Sequence, residues 1–294
     1  MTTPLLYDSH IHTYFCKHAI GNPESYVWKA WQQQLKGLVF ACHNPMPDDF
    51  ATSTRMTADE LPAYRRTISE LRENFAAISD VRLGLECDFL PQYADTVRKQ
   101  IDANEYDCVL GSIHPFFREY TSACGTKPPR AAQEQYFDLL AQAAETGIFD
   151  VLAHPDIIKV MVPQQWDVET VMPAIKAALD RIAATDVAME LNTSGIHKAY
   201  PEFCPGTEIL AQMHERNIPV VLGSDSHQPS RVGEGFTDAL DQLRDIGYTH
   251  ICHYLKRERQ TVEIDQARTS LAGVSARPAT DAPLSEPEEP AAAN

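Results

Sequence analysis

Seven short apolar runs, each followed by a stretch of helical periodicity, constrain this 294-residue chain more than any other feature. The runs are LLYDSHIH (5–12), GLVFACH (37–43), VRLGLECDF (81–89), YDCVLGSIH (106–114), FDVLAHPD (149–156), VAMELNTS (187–194) and PVVLGSDSH (219–227). Near-continuous apolar strands need cover on both faces. Intervening helices supply it, so the order predicts an α/β protein with a parallel sheet. The helical stretches span 23–35, 58–78, 92–104, 131–146, 168–185, 206–218 and 235–247. The first has Asn22 as a candidate N-cap and Pro23 at its first position. Seven such units fit an open doubly wound sheet or a closed barrel, and periodicity alone does not choose.

The ends of these runs carry the chemistry. His12, His43, His114, His154 and His227 all fall at or near the C-terminal end of a run, and Pro45, Pro115, Pro155 or Pro229 follows four of them within two residues. Proline ends the ladder and biases its predecessor away from helix, which sets these histidines where strand gives way to loop. In α/β sheets and barrels that edge builds active sites. Glu86 closes RLGLE, and Asp225 precedes His227 by two residues. His10 and His12, at i and i+2 on a strand, share a face and can approach one metal at about 2.0–2.1 Å each. Imidazoles and carboxylates delivered to one rim suit divalent zinc, manganese or iron. His214 sits in a helical pattern, and His250 and His253 alternate without flanking acids, so these three are not expected to bind metal.

The formal charge of −16 (25 basic against 41 acidic residues) disfavours nucleic acid and anionic membranes as partners. The N-terminus lacks the basic and apolar regions of a signal peptide, and no run approaches the roughly 18 apolar residues of a membrane span. Seven cysteines without a Cys-x-x-Cys pair suit a reducing cytoplasm. One domain over 1–270 is expected, with a disordered Pro-, Ala- and Glu-rich tail over 271–294.

In order, His-x-His, a third His after TYFCK, a strand ending in His, GLE, GSIH, AHPD and GSDSH resemble the polymerase-and-histidinol-phosphatase (PHP) superfamily. DSHIHTYFCKHAIGNPESYV, the loop from Pro45 to Met56 that includes Arg55, and ELNTSG…YP are similar to its monofunctional histidinol-phosphate phosphatase branch. The resemblance spans about residues 5 to 255 and implies a distorted (β/α)7 barrel with the metal site at the C-terminal ends of the strands. It implies three divalent ions. The first would be held by His10, His12, Glu86 and Asp225; Glu86 would bridge to a second held also by His114 and His154; His18, His43 and His227 would hold the third. Glu86, Asp225 and His227 are its implied catalytic positions. Two positions depart from the family's habit: Cys42 stands where Asp is common before the second-strand His, and His197 stands where a phosphate-binding Arg is common. His197, Lys198, Lys159 and Arg55 are therefore the candidate phosphate contacts.

Three divalent ions and two carboxylates leave about +4 on one rim of an acidic protein, which would draw a small phosphate dianion there. Water bridging two metals, ionised near neutral pH, would attack phosphorus in line. The expected activity is hydrolysis of L-histidinol phosphate in histidine biosynthesis. The rival readings are another small sugar or nucleotide phosphate, a nucleic-acid 3′ end, and a non-catalytic metal-binding module; the oligomeric state is open.

Overall fold

The computed structural model describes residues 3–125 and 129–272. Seven strands run parallel in chain order: β1 (Tyr7–Ile11), β2 (Gly37–Phe40), β3 (Asp80–Asp88), β4 (Cys108–Ser112), β5 (Val151–Leu152), β6 (Ala188–Asn192) and β7 (Val220–Gly223). The ring closes where Ile11 bridges Ser226, with His12 N donating to Ser226 O at 2.9 Å. Asp8 reinforces this seam, accepting from Ser224 N and Gly233 N at 2.9 Å each. Closure through one short bridge is what distorts the barrel. A register slip in β1 between Asp8 and Ile11 falls across His10, the first of the His-x-His pair.

The helices are α1 (Pro23–Gln32), α2 (Leu61–Asn74), α3 (Ala94–Asp102), α4 (Arg118–Cys124), α5 (Pro129–Glu145), α6 (Val168–Ala183), α7 (Thr207–Glu215), α8 (Phe236–Ile246) and α9 (Ile264–Ala272). Side chains alternate across the strands. Leu38, Phe40, Leu85, Leu152, Leu191 and Leu222 join the large core under the helices, while Val39, Ala41, Leu110, Val151, Ala188 and Val221 form a small core inside the ring. By the period of two, the inward columns continue upward from Ala41 to His43, from Leu110 to His114, from Ala188 to Glu190 and from Val221 to Asp225. Each column is thus apolar at the foot and carries an imidazole or carboxylate at the top.

β8 (His250–Leu255) pairs parallel with β7, then turns antiparallel into β9 (Glu258–Glu263). Cys252 and Tyr254 of β8 complete the inner core, so this hairpin plugs the N-terminal end of the barrel. The hairpin, α4 and α9 lie outside the elements expected from the sequence. The observed strands also stop short of the expected runs: His12, His43, His114, His154, Asp225 and His227 lie beyond their ends, while His10 and Glu86 lie within β1 and β3. Asn22 occupies the cap position of α1, but its side chain makes no capping bond. α9 includes Leu271 and Ala272, which the expected tail had claimed; residues 273–294 lie outside the described residues. Among the described residues no helix is long and apolar enough to cross a membrane.

Candidate metal centre

Glu86, 1% exposed at the top of β3, is the hub of the C-terminal rim. Its Oε1 lies 2.9 Å from His154 Nε2 and 3.4 Å from His114 Nε2. Its Oε2 lies 2.9 Å from His43 Nδ1 and 3.4 Å from both His10 Nε2 and His12 Nε2. Asp225 Oδ1 approaches His12 Nε2 at 3.2 Å, His227 Nδ1 at 3.5 Å and His10 Nε2 at 3.8 Å. The His227 ring stacks on those of His12 and His18, with centroids 4.0 and 4.5 Å away. All nine expected ligand positions therefore come together on one rim. His43 faces Glu86 more closely than the sequence grouping implied: its ring is 5.6 Å from that of His18 and 6.4 Å from that of His227.

Outer hydrogen bonds aim the imidazoles. His10 Nδ1 contacts Glu190 Oε1 at 2.9 Å, and His114 Nδ1 contacts Asp88 Oδ1 at 2.7 Å. His18 Nδ1 reaches Cys16 O at 2.7 Å, and His227 Nδ1 reaches Asp225 O at 3.0 Å. Pinning Nδ1 as donor leaves Nε2 as the free lone pair, as metal-bound histidines require. Two of the expected ligand residues also sit at left-handed φ, His154 at 28° and Asp225 at 48°. Such strain collects at functional sites, and here Glu190 Oε2 holds the turn at His154 by accepting its N–H at 2.7 Å. Gly223 is required: a Cβ there would meet Glu190 Oε1 at 1.9 Å and His10 Cβ at 2.8 Å.

The residues fit divalent cations. His10 Nε2 and His12 Nε2 face each other at 3.0 Å, while Glu86 Oε2, His43 Nδ1 and His227 Nε2 are buried without hydrogen-bond geometry to any partner. Buried polar atoms left so cost free energy unless something binds them. Three donor triads, His10–His12–Glu86, His43–Glu86–His114 and His12–His43–His227, each have their ligand atoms within 4.8 Å of one another. Electrostatics agree. Burial opposes charge on His10, yet Glu190, Glu86 and Asp225 outweigh it and hold the imidazole well above its usual range. That is a spot built to hold a positive charge. Burial pushes His12 and His43 down, and His227 to about 4, which keeps all three as neutral lone-pair donors. Burial also opposes the charge of Glu86, but its imidazole neighbours, with His10 and His114 themselves held above their usual range, keep it ionised well below the carboxylate range.

Two expected phosphate contacts are corrected by their partners. Arg55 is 1% exposed, donating to Asp88 Oδ2 at 2.6 Å and Asn44 O at 3.0 Å, so it supports His114 through Asp88. Lys159 is fully buried on Asp156 Oδ2, Glu202 Oε2 and Phe203 O at 2.7–2.9 Å. A buried cation is held by its carboxylates, and neither side chain is offered to the rim. Lys198 does line the cleft of about 300 Å³ over the rim, together with Phe116, Phe117, Ile157 and Val160. His197 lies beside it in an adjoining cavity, its Nε2 2.9 Å from Glu234 Oε2. Gly195 serves by close approach: a Cβ would sit 2.0 Å from Glu202 O. The sequence reading missed Glu190, Asp88 and the cavity-lining Arg231. An acid on the inward column of AMELN was the available signal for Glu190.

Residues 8–194 match the PHP domain family. The chain is 37% identical over 254 residues to the "Probable histidinol-phosphatase" of Deinococcus radiodurans, covering 82% of this chain and 94% of that one. It is 26% identical over 270 residues to the histidinol-phosphatase of Bacillus subtilis, covering 80% and 98%. Among solved structures, histidinol phosphate phosphatase from Lactococcus lactis, crystallised with zinc, L-histidinol and phosphate, superposes with a TM-score of 0.74 at 18% identity, over 87% of this chain and 98% of that chain.

Proposed function

The chain belongs to the PHP domain family, and from that premise we propose that it is a metal-dependent phosphomonoesterase whose substrate is L-histidinol phosphate. The observation that carries this reading is the Glu86 hub with its converging imidazoles, several of them aimed by outer hydrogen bonds and several left without partners. His10, His12, Glu86 and Asp225 would hold one ion; Glu86, His114 and His154 a second; His18, His43 and His227 a third, with zinc, manganese or iron suited to the donor set. Bound there, divalent ions supply Lewis acidity that brings water ionisation toward neutral pH and neutralises charge on a phosphate.

The chain's own residues do the rest. Glu86 and Asp225 fix the spacing of the donors, and His227 joins the first group to the third. Lys198 presents a flexible cation at the mouth, suited to a phosphate oxygen. Phe116 and Phe117 form an apolar wall beside His114, their rings 5.2 and 5.3 Å from its imidazole, and offer flat faces to an aromatic ring carried by the leaving group. The named activity of the curated relatives supports histidinol as that group. The acidic surface supports a small substrate over nucleic acid. The reading places the enzyme in histidine biosynthesis, in the cytoplasm.

Steady-state hydrolysis by metal-loaded protein of histidinol phosphate, glucose 6-phosphate, AMP and p-nitrophenyl phosphate tests it. The expected result is a kcat/KM for histidinol phosphate at least about 100-fold above the others, abolished by a chelator. Equal turnover of all four, or chelator-resistant activity, contradicts it.

A further inference from the structure

A cavity of about 530 Å³ lies at the other end of the barrel from the metal centre. It opens between α2 and the β8–β9 turn, lined by Arg65, Arg72, Tyr106, Asp107, Lys256 and Arg257. Two of these cations are committed. Arg72 pairs with Asp107, and Arg257 holds Asp150 at 3.0 Å and Ile148 O at 2.6 Å. Arg65 and Lys256 have no anionic partner among the described residues. Arg65 Nε and the Tyr106 hydroxyl are buried with no hydrogen-bond partner. Burial pushes the Tyr106 phenol up, so it remains a donor. Against these stands the unpaired acid Glu105 at the cleft's edge.

The turn adds an independent observation. Leu255 pairs with Glu258, so Lys256 and Arg257 alone join β8 to β9, at φ 51° and 64°. Two consecutive left-handed residues favour Asn-Gly. This chain places two cations there, and Arg257 N on Asp107 O at 2.9 Å docks the turn against the foot of β4. Buried donors without acceptors, beside the uncommitted cations of Arg65 and Lys256, suit an anion with several acceptor oxygens.

We infer that this cleft is a binding site for a compact dianion, either a phosphate group or a dicarboxylate, separate from the catalytic rim. Inorganic phosphate and succinate, titrated by calorimetry into the metal-loaded full chain and into its Arg65→Ala/Lys256→Ala and Tyr106→Phe variants, test the assignment. Hydrolysis of p-nitrophenyl phosphate checks that each variant keeps its catalytic end. The wild type should bind one more equivalent of dianion than the double variant, with turnover unchanged, and Tyr106→Phe should weaken the extra site by about tenfold. Loss of the phosphate event alone identifies a phosphate ligand; loss of the succinate event, a dicarboxylate. Equal stoichiometry and affinity in wild type and Tyr106→Phe overturn the inference, even if the double variant fails to fold.

Discussion

Glu190 is fully buried and accepts from His10 Nδ1, His154 N and Asn192 Nδ2 at 2.7–3.0 Å, so it fixes two ligand residues at once. In Glu190→Gln one of these donors must face an amide NH2. Metal affinity should fall about 10–100-fold, measured by chelator competition, with turnover restored by excess metal; unchanged affinity would remove Glu190 from the centre. Two lysines separate in the same way. Lys198→Ala should raise KM for phosphate substrates with metal content unchanged. Lys159→Ala should instead cost stability, on the order of 3–5 kcal/mol by denaturant unfolding, because Asp156 is left buried without its cation. An effect of Lys159→Ala on KM alone, with stability intact, would contradict this placement. At this scale the convergence of histidines on one rim was legible in part because strand ends followed by proline mark His43, His114, His154 and His227. Glu190 and Asp88 were not, since an acid that accepts only from other protein groups looks in sequence like any surface acid. Arg55 and Lys159 looked free for complementary reasons: Asp88 and Glu202 are distant in the chain, and nothing in the sequence marks the nearby Asp156 as turned onto Lys159.

Among the elements, the β8–β9 hairpin escaped the sequence because its signals are absent. Its turn is Lys-Arg, and β9 is largely exposed, with no apolar run to announce it. Its inner strand nevertheless seals the barrel. His253 packs against Tyr7 at 4.3 Å between ring centroids and beside Arg82, whose guanidinium lies 3.4 Å from His253 Nδ1. Burial, with the Arg82 charge, pushes His253 from 6.5 to about 4. The unfolded chain therefore takes up this proton first. The stabilisation is fully present above about pH 6.5 and is lost as pH falls toward 4. His253→Gln should flatten the dependence of Tm on pH across that window relative to wild type. Identical slopes would mean that His253 is already charged in the fold. The seven βα units were legible because periodicity reports burial directly, whereas closure was legible only through the family resemblance. One bridge between Ile11 and Ser226 leaves no mark on the period of either strand.

For the whole molecule, the ring is divided along its axis: an apolar plug at the N-terminal end, and at the C-terminal end a group of imidazoles and carboxylates that protein contacts alone leave unsatisfied. The chain as a whole carries a net charge of −16, and the rim gathers unsatisfied imidazoles and carboxylates, so metal occupancy should decide both the local field and the stability of the rim. Removing metal should lower Tm, and adding it back should restore Tm in proportion to occupancy. The account rests most heavily on nine residues forming a three-ion centre bridged by Glu86. Elemental analysis of purified protein reconstituted with zinc or manganese, set beside Glu86→Ala and His18→Ala, measures this directly. The account predicts about three ions per chain in the wild type, about one in Glu86→Ala and about two in His18→Ala. A wild type that saturates at one ion, or a Glu86→Ala variant that keeps all of its metal, would contradict it.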